Sequence, residues 1–342
     1  MEMELSHSKD EYLRWSPDEA KLFGLVPQKS RHNIQDSPLF SDDSLLRILE
    51  NYPRNKMRVF SSGVDPERRK QDWRPVDTAG ASAADILQAV RVGTIWVNLQ
   101  RIDTVDARFK ALGDGLYAQI ERQCPHFKPL YTNHSFLLIS SPNAIVYLHA
   151  DYTPNMLWHV RGHKRIWIYP PYDERTASRL RIEEICSGGD DGLEYRAEYD
   201  NYATVYELGP GDCASWAPRS PHRVVNGNDL NVSLSTFHET VDDALVVEDH
   251  CADYFFRKAF PPALWLRGGT GVKRFAYRAC RKAGWNPGER PVAEFYATMR
   301  IDPEAPMGLR PIPGGPVLTE HSRLVKAAKL ESSGKPVRMA RA

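Results

Sequence analysis

The sequence predicts a mainly β protein in which a closed or sandwiched antiparallel unit is flanked by helices. Between about residues 131 and 240, eight short apolar segments alternate with turns rich in Gly and Pro. Before and after this stretch, apolar residues recur every three to four positions, which is typical of helices. Because antiparallel sheets must hide their edges, many short strands favour closure or face-to-face packing.

The composition indicates a globular protein without a general affinity for polyanions. The 342 residues include 45 basic and 44 acidic side chains, so the overall field gives no attraction to nucleic acid or anionic membranes. No apolar run is long enough to span a bilayer, and the sequence starts without the apolar stretch of a secretion signal. The 5 cysteines lack CxxC pairs, so neither a disulfide framework nor a Cys-rich zinc site is indicated. We therefore expect a cytoplasmic protein.

The N-terminal part, residues 1–93, is expected to be an arm followed by helices. The arm carries few periodic signals and is predicted to be only partly ordered over about its first 40 residues. Ser41 can cap a helix that Pro53 ends. Ser82 and Asp85 have the capping-box spacing of a second helix.

The core is predicted to cover residues 94–240. It opens with the strand-like run TIWVNL and a long amphipathic helix that Pro125 ends. Eight strands follow, and they begin near Phe136, Ala144, Met156, Lys164, Ala203, Cys213, His222 and Leu230. Residues 173–202 interrupt these strands and are predicted to form an insertion outside the barrel.

The chain beyond the core is predicted to be helical over residues 241–315. Thr240 and Asp243 repeat the capping-box spacing at its start. Residues 316–342 are rich in Lys and Arg and are predicted to be a basic flexible tail. Such a run gives no clear indication of nucleic-acid binding, because a solvated, frayed terminus has the same composition.

The candidate chemistry lies in YLHADYTPNMLWHVRGHKRIWIYPP, residues 147–171. Residues two apart in a strand point the same way, so His149 and Asp151 would place an imidazole and a carboxylate on one side. A later segment, GPGDCASWAPRSPH, ends in His222, a third candidate ligand. Two His and one carboxylate leave coordination positions open, a pattern associated with non-haem Fe(II) oxygenases.

Lys164 is a candidate for a buried cation near these ligands. A zinc hydrolase could use the same three ligands, but it would not need a cation aimed at a dicarboxylate. The compact ammonium of Lys164 suits an anionic carboxylate inside a barrel. A lysine that simply extends to solvent is the alternative interpretation.

The order HxD, Lys, GPGD and His resembles the JmjC and cupin-like branch of the 2-oxoglutarate-dependent oxygenases, including the asparaginyl hydroxylase that inhibits hypoxia-inducible factor. The resemblance covers roughly residues 94–240 and implies a double-stranded β-helix, the jelly-roll fold of cupins. It implies that His149, Asp151 and His222 are the metal ligands and catalytic residues. It also implies that Lys164 pairs with the far carboxylate of 2-oxoglutarate and that Asn155 lines the same pocket.

Two positions depart from the family pattern. The Thr and Tyr that help to hold 2-oxoglutarate fall at Val146 and Trp96. Trp96 is predicted to be a cosubstrate contact at the position of the family Tyr. Thr236 is predicted to be a second contact, because its hydroxyl could replace one of the two lost hydrogen bonds. Other side chains that could replace the two hydrogen bonds are Tyr131, Tyr147, Ser233 and Ser235.

The resemblance implies an Fe(II)- and 2-oxoglutarate-dependent dioxygenase that consumes O2, releases succinate and CO2, and hydroxylates an amino-acid side chain, free or in a peptide. Demethylation of an N-methyl group is a second outcome of the same chemistry. The substrate would be a small molecule, a peptide or a protein, and a homodimer through the C-terminal helices is a further expectation. The alternative is a noncatalytic cupin-like sensor or regulator that binds a metal and a small anion, and succinate formation separates the two.

Overall fold

The computed structural model describes helices, strands and connecting loops over most of the chain. The described residues are 11–63, 65, 67, 73–127, 130–261, 270–285 and 294–332. Within these ranges, no helix has the length and apolar character needed to cross a membrane.

The helices are α1 (Pro17–Leu22), α2 (Asp42–Asn51), α3 (Ala83–Val92), α4 (Ala107–Gln123), α5 (Arg179–Cys186), α6 (Val241–Ala259), α7 (Thr270–Lys282) and α8 (Glu320–Ser332). The strands before the core are β1 (Leu13–Arg14), β2 (Gln28–His32), β3 (Met57–Ser61), β4 (Arg74–Asp77) and β5 (Ile95–Leu99). The core strands are β6 (Leu130–Ser140), β7 (Ile145–His149), β8 (Asn155–Arg161), β9 (Lys164–Ile168), β10 (Thr204–Leu208), β11 (Asp212–Ser215), β12 (His222–Asn226) and β13 (Asn231–Thr240). Four short strands follow: β14 (Tyr296–Ala297), β15 (Met299–Ile301), β16 (Leu309–Pro311) and β17 (Val317–Leu318).

Eight consecutive strands, β6 to β13, form the predicted barrel. The smaller sheet has the order β10, β9, β12, β7, and a larger sheet contains β11, β8, β13 and β6 side by side. The chain passes back and forth between the sheets, which is the winding of a double-stranded β-helix. Side chains from both sheets meet in one apolar cluster between them: Leu157, Ile166, Ile168, Leu208, Ala214, Trp216 and Val224. The predicted fold class is confirmed.

The alternation along β9 decides which of its side chains enter the barrel. Lys164, Ile166 and Ile168 are buried, whereas Arg165 is exposed. Ile166 and Ile168 belong to the cluster between the sheets, so Lys164 points into the same interior. His222 of β12 lies directly opposite Ile168, which places its side chain on this inner face as well.

Helix starts follow the capping signals read from the sequence. The Ser41 hydroxyl accepts a hydrogen bond at the start of α2. Ser82 with Asp85 forms a complete capping box for α3, and Thr240 with Asp243 forms one for α6. Each cap satisfies backbone N–H groups that have no partner inside the helix. The predicted helix starts at these three positions are confirmed.

The predicted insertion, residues 173–202, packs against the smaller sheet from outside. Ile182 and Ile185 of α5 join Leu148 and Tyr169 in an apolar cluster separate from the one between the sheets. The outer face of the smaller sheet is therefore covered, and its inner face is left to line the barrel.

The prediction of a partly ordered N-terminal arm is wrong for residues 11–40. Strand β2 pairs with β11 and extends the larger sheet, and β1 pairs with β2. The buried amide of Gln119 on α4 accepts hydrogen bonds from the Tyr12 and Leu13 N–H groups, at 2.7 and 2.9 Å. The edge of β11 offers unpaired backbone groups to which an extended segment can bind, and periodicity within the arm does not reveal this.

The prediction of a flexible tail over residues 316–342 is wrong where α8 forms. The Asp77 carboxylate anchors this helix, because it accepts from the Glu320 N–H at 3.3 Å and lies 3.6 Å from the Arg323 guanidinium. Lys326 pairs with Glu294 at 2.7 Å. Two of the basic side chains, Arg323 and Lys326, therefore have acidic partners elsewhere in the chain. Residues 333–342 of the predicted tail lie outside the described residues.

Candidate metal centre

The structure brings His149, Asp151 and His222 together at one end of the barrel. Their ligand atoms all lie within 4.8 Å of one another. The Asp151 Oδ2 atom is 3.6 Å from His222 Nε2 and 3.9 Å from His149 Nε2. The pairing of β12 with β7 sets His222 opposite His149, and Asp151 follows two residues after the end of β7. The three predicted ligands form the one such group of metal-binding side chains among the described residues.

Backbone carbonyls fix the orientation of both imidazoles. His149 Nδ1 lies 2.8 Å from the Tyr147 carbonyl oxygen, and His222 Nδ1 lies 3.1 Å from that of Ser220. Because a carbonyl only accepts, each Nδ1 must carry the proton and donate it. Each Nε2 then presents its lone pair toward Asp151. This is the arrangement in which a histidine binds a metal through Nε2.

Asn155 orients the carboxylate of the group. Its Nδ2 atom donates to Asp151 Oδ2 at 2.6 Å, the same oxygen that faces both imidazoles. Asn155 is buried at the start of β8, whereas the Asp151 side chain remains 22% exposed. The resemblance implies that Asn155 lines the cosubstrate pocket, and the structure shows its contact with a candidate metal ligand.

We expect Asn155→Ala to weaken metal binding without removing a ligand. Loss of a hydrogen-bonding partner behind a metal ligand typically costs about 10- to 100-fold in affinity or activity. Titration of the protein with Fe(II) or Co(II) under anaerobic conditions measures the change. Asn201→Ala, in the insertion, is the control, and equal affinity in both variants would contradict the orienting role of Asn155.

Lys164 lies deeper in the barrel than the three candidate ligands. It occupies the opposite end of β9 from Ile168, the residue paired with His222, and is 6% exposed. Burial lowers the pKa of its ammonium to about 7. Among the described residues, no carboxylate forms an ion pair with it. A buried cation without a partner lowers the stability of the folded protein unless an anion binds to it.

Trp96 and Val146 line an apolar part of the structure. Trp96 packs on Trp73, with ring centroids 4.7 Å apart, and on Phe60. Val146 packs against this aromatic cluster and against the cluster between the two sheets. Neither position offers a hydroxyl. The role of Trp96 as a cosubstrate contact stays a prediction.

The prediction that Thr236 contacts the cosubstrate is wrong, because its hydroxyl faces away from the barrel interior. Thr236 Oγ1 accepts from the Tyr117 hydroxyl and from Trp158 Nε1, both at 2.8 Å. Tyr117 and Trp158 belong to the core on the outer side of the larger sheet. The neighbouring Ser235 points the other way, since it pairs with Leu157 of the inner cluster.

The hydroxyls of Tyr131, Tyr147 and Ser233 are either exposed or engaged in other contacts. The Tyr147 hydroxyl accepts a hydrogen bond from the Gly63 N–H, and Tyr131 is 68% exposed. The Ser233 hydroxyl lies 3.0 Å from His159 Nδ1. These three side chains are therefore poorly suited to hold a cosubstrate, whereas Ser235 remains suitable.

Asn98 is a polar residue of the interior that the sequence analysis missed. It lies on β5, opposite Leu138, which packs against the inner cluster. Its Oδ1 atom is buried and has no hydrogen-bond partner among the described residues. The signal was present, because Asn98 is two residues after Trp96 and so shares its face of the strand.

This chain is similar in fold to several proteins of known structure. No family model matches the sequence, and no curated protein matches it. An X-ray structure of Escherichia coli YcfD aligns with a TM-score of 0.48 and 15% identity, covering 95% of this chain and 69% of that chain.

Two further structures of the E. coli protein are described as a ribosomal oxygenase in complex with cobalt and a small dicarboxylate. The complex with 2-oxoglutarate aligns with a TM-score of 0.45 and 15% identity, and the complex with succinic acid with 0.44 and 14%. Both alignments cover 81% of this chain and 68% of that chain.

Proposed function

We propose that this protein is an Fe(II)- and 2-oxoglutarate-dependent oxygenase that hydroxylates an amino-acid side chain, free or within a peptide. One observation carries the proposal: two imidazoles and a carboxylate converge at one end of the barrel, and the buried Lys164 lies deeper on the same inner face. The donor set of nitrogen and carboxylate oxygen suits Fe(II) and leaves coordination positions for a cosubstrate and O2.

The spacing along β9 fits a dicarboxylate with one end at the metal. Lys164 is four residues from Ile168, the partner of His222, which corresponds to about 13 Å along a strand. Because the lysine side chain is long, its ammonium can lie closer to the metal ligands than this backbone distance. 2-Oxoglutarate carries a keto acid at one end for the metal and a carboxylate at the other end for the Lys164 ammonium.

The protein contributes positioning and shielding rather than acid–base chemistry. When bound, Fe(II) supplies the coupling of O2 reduction to decarboxylation of the cosubstrate. His149 and His222 hold the metal side, and Lys164 neutralises the distal carboxylate. The Trp216 ring lies against the His222 imidazole, with centroids 4.6 Å apart, and limits the access of water on that side.

Succinate formation tests this proposal. Purified protein with Fe(II) and 2-oxoglutarate should release succinate in air, slowly alone and faster with an acceptable substrate. His149→Ala should remove this activity, and His163→Ala, which changes an exposed histidine paired with Asp229, should not. Binding of metal and 2-oxoglutarate with no succinate under any condition would instead support the sensor.

The affinity for 2-oxoglutarate should fall as the pH rises above about 7. Burial gives Lys164 a pKa of about 7, so its charged form dominates below that pH and its neutral form above it. The dianion binds the ammonium form, so above pH 7 each binding event takes up a proton, and Kd rises roughly tenfold per pH unit. Calorimetry across this range, in buffers with different protonation enthalpies, measures both effects. A pH-independent Kd without proton uptake would contradict the role of Lys164.

Two further features support the proposals of a cytoplasmic location and a homodimer. All five cysteines are free thiols, which suits the reducing cytoplasm. Helix α7 exposes Val272 and Phe275, at 58% and 76%, and these apolar side chains suit a homodimer interface through the C-terminal helices.

A further inference from the structure

Arg219 carries a buried positive charge without a carboxylate beside it. The residue is 8% exposed, and no acidic side chain among the described residues forms an ion pair with it. Its Nε atom donates to the Tyr172 hydroxyl at 2.6 Å. Its Nη1 atom is buried and has no hydrogen-bond partner in the described part of the chain. Because an unpaired buried charge is costly, the Arg219 guanidinium is suited to bind an anion from outside the chain.

Tyr172 and His250 hold the Arg219 side chain through a chain of two hydrogen bonds. The Tyr172 hydroxyl accepts from Arg219 and lies 3.0 Å from His250 Nε2, which can accept its proton. Burial lowers the pKa of His250 to about 4, so the ring is neutral and its Nε2 atom can accept from Tyr172. Within the described residues, the Oγ atom of Ser220, the residue after Arg219, is buried without a hydrogen-bond partner.

The backbone holds this cluster in an unfavourable conformation. Arg219 has φ +66° and Tyr172 has φ +59°, in the left-handed region that bulky residues avoid. The Ser220 N–H bonds the Ala217 carbonyl at 3.1 Å, so Arg219 occupies the third position of a tight turn, where glycine is favoured. Such conformations cost about 1–3 kcal/mol each and concentrate at functional sites. Arg219 and Tyr172, the donor and the acceptor of one hydrogen bond, both adopt this costly conformation.

The cluster lies beside the candidate metal centre. Arg219 precedes His222 by three residues, and the Ser220 carbonyl accepts the His222 Nδ1–H at 3.1 Å. Tyr172 follows Ile168, the strand partner of His222, by four residues. Both segments leave the barrel at the end where the metal ligands converge.

We propose that Arg219 binds a carboxylate of the primary substrate, with the adjacent Ser220 as a second donor and with Tyr172 and His250 holding the guanidinium in position. The inference rests on the proposed function and deepens it: the substrate is an acid, either a free amino or organic acid or a peptide with a carboxylate near the oxidised residue. Donors without an acceptor select an anion, and a planar guanidinium pairs well with the two oxygens of a carboxylate. The carboxylates of 2-oxoglutarate have partners elsewhere, at the metal and Lys164.

The test measures binding in protein loaded with Ni(II) and saturated with 2-oxoglutarate, so that no turnover is needed. The first arm compares pools of free L-amino acids with the same amino acids as amides. The second arm compares tetrapeptides with free C-termini and the same peptides amidated. Inorganic phosphate forms a third arm. We expect the acids of one of the first two arms to bind at least about tenfold more tightly than the amides, which identifies the source of the carboxylate.

Variants assign the effect to the cluster. Arg219→Gln should abolish the preference for acid over amide, Arg219→Lys should retain part of it, and Arg196→Gln, which changes an exposed arginine, should leave it intact. If Arg219→Gln does not fold, His250→Phe takes its place and should reduce the preference. Unchanged 2-oxoglutarate affinity in each variant shows that the barrel and Lys164 are intact.

The inference would be overturned by equal binding of acids and amides, by no binding of any carboxylate pool, or by binding of phosphate alone. A preference for acids that survives Arg219→Gln would do the same. The affinity for 2-oxoglutarate, measured in the same titrations, separates this failure from that of the proposed function. If 2-oxoglutarate binds and the acids do not, only the substrate inference fails.

Discussion

His222→Ala is expected to abolish both stable metal binding and succinate formation. The variant removes one of the three ligands and leaves His149 and Asp151, which cannot define a facial site alone. The loss in metal affinity should exceed the roughly 10- to 100-fold that follows from losing a partner behind a ligand. The fold should survive, because His222 lies at the first position of β12 and its backbone pairing does not depend on the imidazole.

Anaerobic titration with Fe(II) or Co(II), followed by a succinate assay, measures both losses. His163→Ala is a matched control, since it removes a histidine from the exposed loop before β9. Wild-type metal affinity in His222→Ala would show that the three side chains do not act together.

Lys164→Met is expected to have opposite effects on cosubstrate binding and on stability. Loss of the charged contact should weaken 2-oxoglutarate binding by about 10- to 100-fold, because hydrogen bonds to charged groups contribute about 1.5–3 kcal/mol. The ligand-free protein should become more stable, because an apolar side chain of similar length replaces a buried ammonium that has no ion-pair partner among the described residues. Metal affinity without cosubstrate should not change.

Thermal unfolding with and without 2-oxoglutarate reveals both effects. Wild-type protein should gain stability from the cosubstrate, and Lys164→Met should start higher and gain little. Arg165→Met is the control, because Arg165 is adjacent but exposed and pairs with Glu207. A lower melting temperature for ligand-free Lys164→Met, with unchanged cosubstrate affinity, would assign Lys164 a structural role only.

The strand period accounts for the success of the sequence analysis in the core. The inward direction of Lys164 follows from alternation along β9, and the meeting of His149 with His222 follows from two neighbouring strands of one sheet. The same rule explains one error. Thr236 and Ser235 are adjacent on β13, so an assignment wrong by one residue moves the hydroxyl from the interior to the outer core.

Features that depend on distant parts of the chain were not predictable from local pattern. The order of the N-terminal arm comes from the edge of β11, about 180 residues later, and α8 is anchored by Asp77. The cluster of Arg219, Tyr172 and His250 joins two loops and a helix. No spacing within one segment indicates that these side chains meet.

An anaerobic crystal structure with Fe(II) and 2-oxoglutarate, with the iron located by anomalous scattering, tests the central claim most directly. We predict one iron coordinated by His149 Nε2, His222 Nε2 and a carboxylate oxygen of Asp151. We also predict that the distal carboxylate of 2-oxoglutarate lies within hydrogen-bonding distance of Lys164 Nζ. Iron bound elsewhere, or a cosubstrate that leaves Lys164 without an anion, would contradict the proposed centre.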